Sequence, residues 1–155
     1  LRQILQQVYG CGVVHTDDFF LQPHQRIFGR LAEPGGNIDY ERLAPVVQMA
    51  ADDRAFSYRT YNCQTQQCEQ KYSIPTGNLT IVEGVYSMHP QMSGFYDVRV
   101  FLSVDAKVQA RRIVERSGEE LAQRFFAELI PMENSYFAEF DIRESCDVVL
   151  DTLGL

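Results

Sequence analysis

Basic charge is scarce in this sequence: 14 lysines and arginines stand against 21 acidic residues, a net charge of −7. A balance of that sign argues against a general grip on nucleic-acid phosphates or on anionic membrane, so any phosphate chemistry must be local. Long apolar runs are lacking as well. No segment approaches the length of a membrane span, and 1–10 carries too many glutamines for a signal-peptide core, which points to a cytoplasmic protein. Cysteines are few and scattered, at positions 11, 63, 68 and 146, and free thiols are the expected state. Cys63 and Cys68 lie in a Gln-rich stretch without nearby histidines, which argues against zinc. Internal repeats and low-complexity linkers are also missing.

What remains is a chain of 155 residues, 45% hydrophobic, enough for one full core, so 1–155 reads as a single domain. Leu1, Ile4, Leu5 and Val8 recur at helical spacing up to Gly10. A strand is expected over 12–16, then a loop carrying Pro23, Gly29, Pro34, Gly35 and Gly36. A helix follows to about 51, with Asp39 as its N-cap and Leu43, Val46, Val47 and Ala50 on one face. Aromatic and polar residues alternate over 56–61, and the chain returns through Tyr72 and Ile74, the pattern of a small β-flap.

Further strands are expected at 79–84, 98–102 and 146–150. Between the last two lie a helix over 106–116, a helical continuation to 129 that Pro131 interrupts, and an aromatic-rich helix over 132–140. Met132, Tyr136, Phe137 and Phe140 read as core of this region. Strands alternating with helices imply a parallel sheet with helices on both faces, in which ligands gather at the carboxyl ends of the strands.

Two acids fall at such ends. Val13-Val14-His15-Thr16-Asp17-Asp18-Phe19-Phe20 runs from a β-branched strand into two carboxylates, and Ile81-Val82-Glu83-Gly84 ends a second strand in an acid. Converging carboxylates suit a hard cation such as Mg²⁺, or one can act as base toward a substrate hydroxyl. The plainer readings are that the Asp pair opens a turn or caps a helix, and that Glu83 hydrogen-bonds to nearby loops. His15, His24 and His89 read as local structure.

These segments, with Pro34-Gly35-Gly36-Asn37-Ile38-Asp39-Tyr40, Arg111-Arg112-Ile113-Val114-Glu115-Arg116 and Ile130-Pro131-Met132-Glu133-Asn134-Ser135-Tyr136-Phe137, resemble the uridine kinase and nucleoside kinase family of the P-loop fold. The matches come in family order and cover nearly the whole chain. The resemblance implies a three-layer α/β kinase fold with a β-flap and a helical lid at about 111–131. It also implies ATP as phosphoryl donor, Mg²⁺ as cofactor, and a nucleoside, uridine or cytidine first, as the small-molecule partner. Neither nucleic acid nor membrane is expected as a partner, while a homo-oligomer is compatible with the family.

By the same resemblance Asp17 takes the proton from the substrate 5'-hydroxyl and lies near the metal, and Glu83 helps hold that metal. Asp39 grips the ribose hydroxyls, Tyr61 lies beside the base, and Phe20 belongs to the substrate-binding set. Arg112 and Arg116 match the lid helix, where guanidinium groups neutralise the transferring phosphoryl group, and Arg112 also counts toward substrate binding.

One departure stands out: the family's phosphate cradle, G-x-x-x-x-G-K-[ST], occurs nowhere in the 155 residues, nor does the strand before it. The expectation is a sheet without its central first strand, in a record short of the natural protein by roughly twenty residues, the length of a strand plus that loop. A non-catalytic relative that lost phosphate handling is the alternative. Asp17-Asp18-Phe19-Phe20 is also similar to nicotinamide riboside kinases, and Asn62-Cys63 differs from the usual pair of uridine kinases, so the base is open.

Overall fold

The computed structural model describes residues 2–75, 77 and 79–153. They fall into two compact units, Leu1–Tyr96 and Asp97–Leu155. Parallel strands with intervening helices make the fold α/β.

In the first unit, helix α1 (Arg2–Tyr9) leads into strand β1 (Gly12–His15), a 3₁₀ turn (Thr16–Phe19), a second short turn (Pro23–Gln25) and helix α2 (Phe28–Ala32). Helix α3 (Tyr40–Ala51), the hairpin of β2 (Phe56–Asn62) and β3 (Gln67–Ile74), and strand β4 (Thr80–Glu83) follow. Strand β1 pairs in parallel with β4, Gly12 opposite Thr80 through His15 opposite Glu83. Val13 and Val14 are almost fully buried, as expected for a parallel strand covered on both faces. The hairpin is antiparallel, Phe56 opposite Ile74 and Tyr58 opposite Tyr72; alternation buries Phe56 and Tyr58, and Tyr61 is buried after a register shift between Arg59 and Tyr61.

Helix α3 begins where the Asp39 carboxylate accepts the Arg42 backbone N–H, and its Leu43, Val46 and Val47 are buried. The expected amphipathic face of α1 is not covered in this way. Ile4 and Val8 are exposed and Leu5 is half-buried, while Leu1 lies outside the described residues. The loop after β1 is more regular than its prolines and glycines suggest. Gln22 and Gln25 close the Pro23–Gln25 turn, the Gln22 N–H donating to the Gln25 side-chain carbonyl at 2.9 Å. Arg30 then ties α2 down through the carbonyls of Gly36 and Ile38.

The second unit holds β5 (Val100–Ser103), α4 (Ala106–Ser117), α5 (Glu119–Arg124), α6 (Ile130–Glu139) and β6 (Val148–Asp151), with β5 and β6 parallel. Asp105 caps α4 by accepting the N–H groups of Lys107 and Val108. Pro131 does not interrupt the chain here. A π-helical turn (Phe125–Leu129) joins α5 to α6, and Pro131 falls in the first turn of α6, where its missing N–H costs little and the wider preceding turn makes room for its ring. Tyr136 is fully buried and its ring meets Phe137 and Phe140 at 5.7 and 5.5 Å; Phe137 in turn meets Phe101 at 5.4 Å. Val100, Leu102, Val148, Val149 and Leu150 stay exposed. The four parallel strands thus form two separate pairs, β1 with β4 and β5 with β6.

Candidate active site

The carboxyl end of β1 and β4 concentrates the chemistry of the first unit. Parallel pairing in register brings the last residues of the two strands level, and the His15 ring Nδ1 meets the Glu83 Oε1 at 2.5 Å. Beyond His15 the 3₁₀ turn sends successive side chains in different directions. Thr16 and Phe19 are buried, Asp17 is exposed, and Asp18 is half-buried. Gly84, just past Glu83, has φ +133° and passes so close to the turn that a Cβ there would lie 1.8 Å from the Thr16 Oγ1. Gly84 therefore packs directly against the Thr16 side chain.

Asp18 turns toward the flap. Its Oδ2 accepts the Tyr58 hydroxyl at 3.1 Å, and its carbonyl accepts Arg42 Nη2 at 2.9 Å. Burial holds the Asp18 carboxyl above its ordinary pKa, against the pull of the Tyr58 hydrogen bond, His15 and Arg42, and Glu83 pushes it further up. Burial and Asp18 together raise the Tyr58 phenol. Asp18 is thus tied to the flap, and Asp17 is the acid presented to solvent.

Next to this edge lies a second cluster. Phe20 pairs with Ile38 in an isolated bridge and meets the Tyr61 ring edge-on at 6.2 Å. The Tyr61 ring is buried, and its hydroxyl accepts Arg26 Nη2 at 2.5 Å. Asp39 is buried too. Its Oδ1 caps α3, while its Oδ2 accepts Gln25 Nε2 at 2.9 Å and lies 3.5 Å from Arg42 Nε. Two hydrogen bonds, from the Arg42 backbone N–H and from Gln25 Nε2, fix this carboxylate and leave it further accepting capacity.

Arg112 and Arg116 belong to the second unit. Arg112 is half-buried and donates to the Thr152 carbonyl at 2.9 Å, whereas Arg116 is exposed with its guanidinium 5.5 Å from the Phe125 ring centroid. Sequence reasoning took His15 as local structure and did not single out Gln25, Arg26 or Arg42. Only the strand pairing signals the His15–Glu83 contact, since the two are 68 positions apart.

The donor set at the strand ends is chemically hard. Among the described residues no group of three or more His, Cys, Asp or Glu side chains gathers as a closed metal site. Single carboxylates such as Asp17 and Glu83 are hard oxygen donors of the kind that fit Mg²⁺, which is commonly held by one or two carboxylates and completed by substrate phosphates and water, and not the Cys and His set of a structural zinc.

No family model matches the chain. Solved structures do. A "possible uridine kinase" from Bacillus stearothermophilus superposes with a TM-score of 0.69 at 18% identity, over 97% of this chain and 77% of that one. A "putative fructose transport system kinase" from Silicibacter sp. TM1040 superposes with a TM-score of 0.67 at 17% identity, over 96% and 79%. The fold is that of the P-loop kinases. Glu83 ends β4, and Asp17 lies in the turn two residues past the end of its parallel partner β1. No described helix is long and apolar enough to cross a membrane.

Proposed function

We propose that this protein transfers the γ-phosphoryl group of ATP to the 5'-hydroxyl of a nucleoside, uridine or cytidine first. The observation that carries the reading is the pair of acids, Asp17 and Glu83, delivered by adjacent parallel strands of a kinase fold. Asp17, exposed and two residues past its strand, acts as the base that takes the hydroxyl proton. Glu83, braced by His15, and Asp17 together would hold Mg²⁺, which when bound neutralises charge on the phosphates.

Phe20 and Tyr61 form the aromatic wall for the base. Asp39 acts on the ribose hydroxyls from its capping position, through the accepting capacity its two hydrogen-bond donors leave. Four free cysteine thiols are in keeping with a cytoplasmic setting.

A second reading is favoured by one specific fact, the absence of G-x-x-x-x-G-K-[ST] from the 155 residues. Backbone N–H groups and the lysine of that loop do most of the phosphate positioning in such kinases, so a chain without them would bind nucleoside alone. Thermal-shift measurements separate the two. The kinase reading expects the melting temperature to rise with nucleoside and again with ATP and Mg²⁺, by ligand linkage, whereas the binding-protein reading expects a response to nucleoside only.

A further inference from the structure

We propose that Arg26 selects the substrate's base, favouring a neutral heterocycle with carbonyl acceptors and rejecting a cationic one. The inference rests on the nucleoside reading above and adds to it the chemical class of the base. Arg26 stands in the loop after the acidic turn, and two of its guanidinium donors are committed: Nε to the Leu21 carbonyl at 3.0 Å and Nη2 to the Tyr61 hydroxyl at 2.5 Å. These two bonds fix the guanidinium plane beside the Tyr61 ring. Nη1 makes no hydrogen bond to any described residue, and Arg26 forms no ion pair with a described carboxylate, although the chain carries a net charge of −7.

The backbone that carries Arg26 is held as firmly. The Arg26 N–H donates to the Pro23 carbonyl at 3.2 Å. The neighbouring Gln25 side chain bridges the Gln22 N–H and the Asp39 carboxylate, which ties this turn to the N-terminus of α3. An exposed arginine immobilised by two hydrogen bonds loses less conformational entropy on meeting a ligand than one free in solvent. Its free edge is a row of N–H donors with a full positive charge. Such an edge recognises carbonyl oxygens and ring nitrogens that accept, as on a pyrimidine, and repels a pyridinium ring that carries its own positive charge.

Calorimetric titration with uridine, cytidine and nicotinamide riboside tests this on the wild-type protein and on Arg26→Gln. The glutamine keeps a donor and removes the charge. Wild type should bind one of the pyrimidine nucleosides more tightly than nicotinamide riboside. Arg26→Gln should weaken that pyrimidine nucleoside roughly ten- to hundredfold, the span of a charge-assisted hydrogen bond, and narrow the preference over the pyridinium ligand. Because Arg26 is exposed, its melting temperature should hold, and Tyr61→Phe, which removes the anchor and keeps the ring, should show a smaller loss of the same kind. Equal pyrimidine affinity in wild type and Arg26→Gln overturns the role of Arg26 and leaves the nucleoside reading standing. Tighter binding of nicotinamide riboside by wild type does the same. No binding of any of the three by wild type overturns both.

Discussion

At the scale of single residues, buried charge is the sharpest constraint. Asp39 is a buried carboxylate that caps α3 and receives Gln25 and Arg42. Asp39→Ala should therefore cost about 1–3 kcal/mol, a lost cap plus donors left unpaired, read as a fall in the urea midpoint with an unchanged m-value. An unchanged midpoint would remove Asp39 from the frame of the site. His89 offers a second test. It is buried, its ring stacks on Tyr40 at 4.3 Å, and its Nδ1 accepts the Gln91 N–H. Burial first, and Arg30 second, hold its pKa below the ordinary 6.5, against the opposing pull of Glu41 and Glu33. The unfolded chain then binds the extra proton in the window below 6.5, so His89 makes stability fall as pH drops through that window and recover as pH rises. Replacing His89 by Phe keeps the stack and should flatten the pH dependence of the melting temperature between about 5 and 7. An equally steep profile would show that other groups carry it.

At the scale of elements, the contact between the two strand ends depends on a residue with no side chain. Gly84→Ala should destabilise by ~2–4 kcal/mol, because φ +133° is strained for alanine and the new Cβ would overlap the Thr16 hydroxyl. A melt within error of wild type would mean that the turn and the β4 end are not packed as described. The same edge shows what a sequence reveals. Strands β1 and β4, helix α3 and the flap were legible because each buries a regular apolar pattern, and Asp39 was legible as a cap because its position before Tyr40 is a local signal. The His15–Glu83 pair was not, since parallel register is a long-range property that neither segment states alone. Gln25 and Arg26 escaped for a different reason. They belong to a polar loop without periodicity, and their partners Asp39 and Tyr61 meet them only once the turn is closed. At Pro131 the local rule misled, because a π-helical turn absorbs the proline that would otherwise end a helix.

At the scale of the whole molecule, the α/β class followed from alternating strands and helices and the kinase fold from the family resemblance of motifs in order, while the substrate did not, because the loop after β1 carries no periodic pattern. In the proposed reaction Asp17 draws a proton from a nucleoside hydroxyl while a phosphoryl group arrives from ATP. The most direct measurement follows the label of [γ-³²P]ATP with the protein, wild type and Asp17→Asn, with uridine and cytidine as acceptors and Mg²⁺ present. The account predicts a labelled nucleoside 5'-monophosphate from wild type and a kcat lower by ~10²–10⁴ in Asp17→Asn, the span of a lost general base. An equal rate in the variant, or ATP consumed by wild type without any labelled nucleotide, would contradict it.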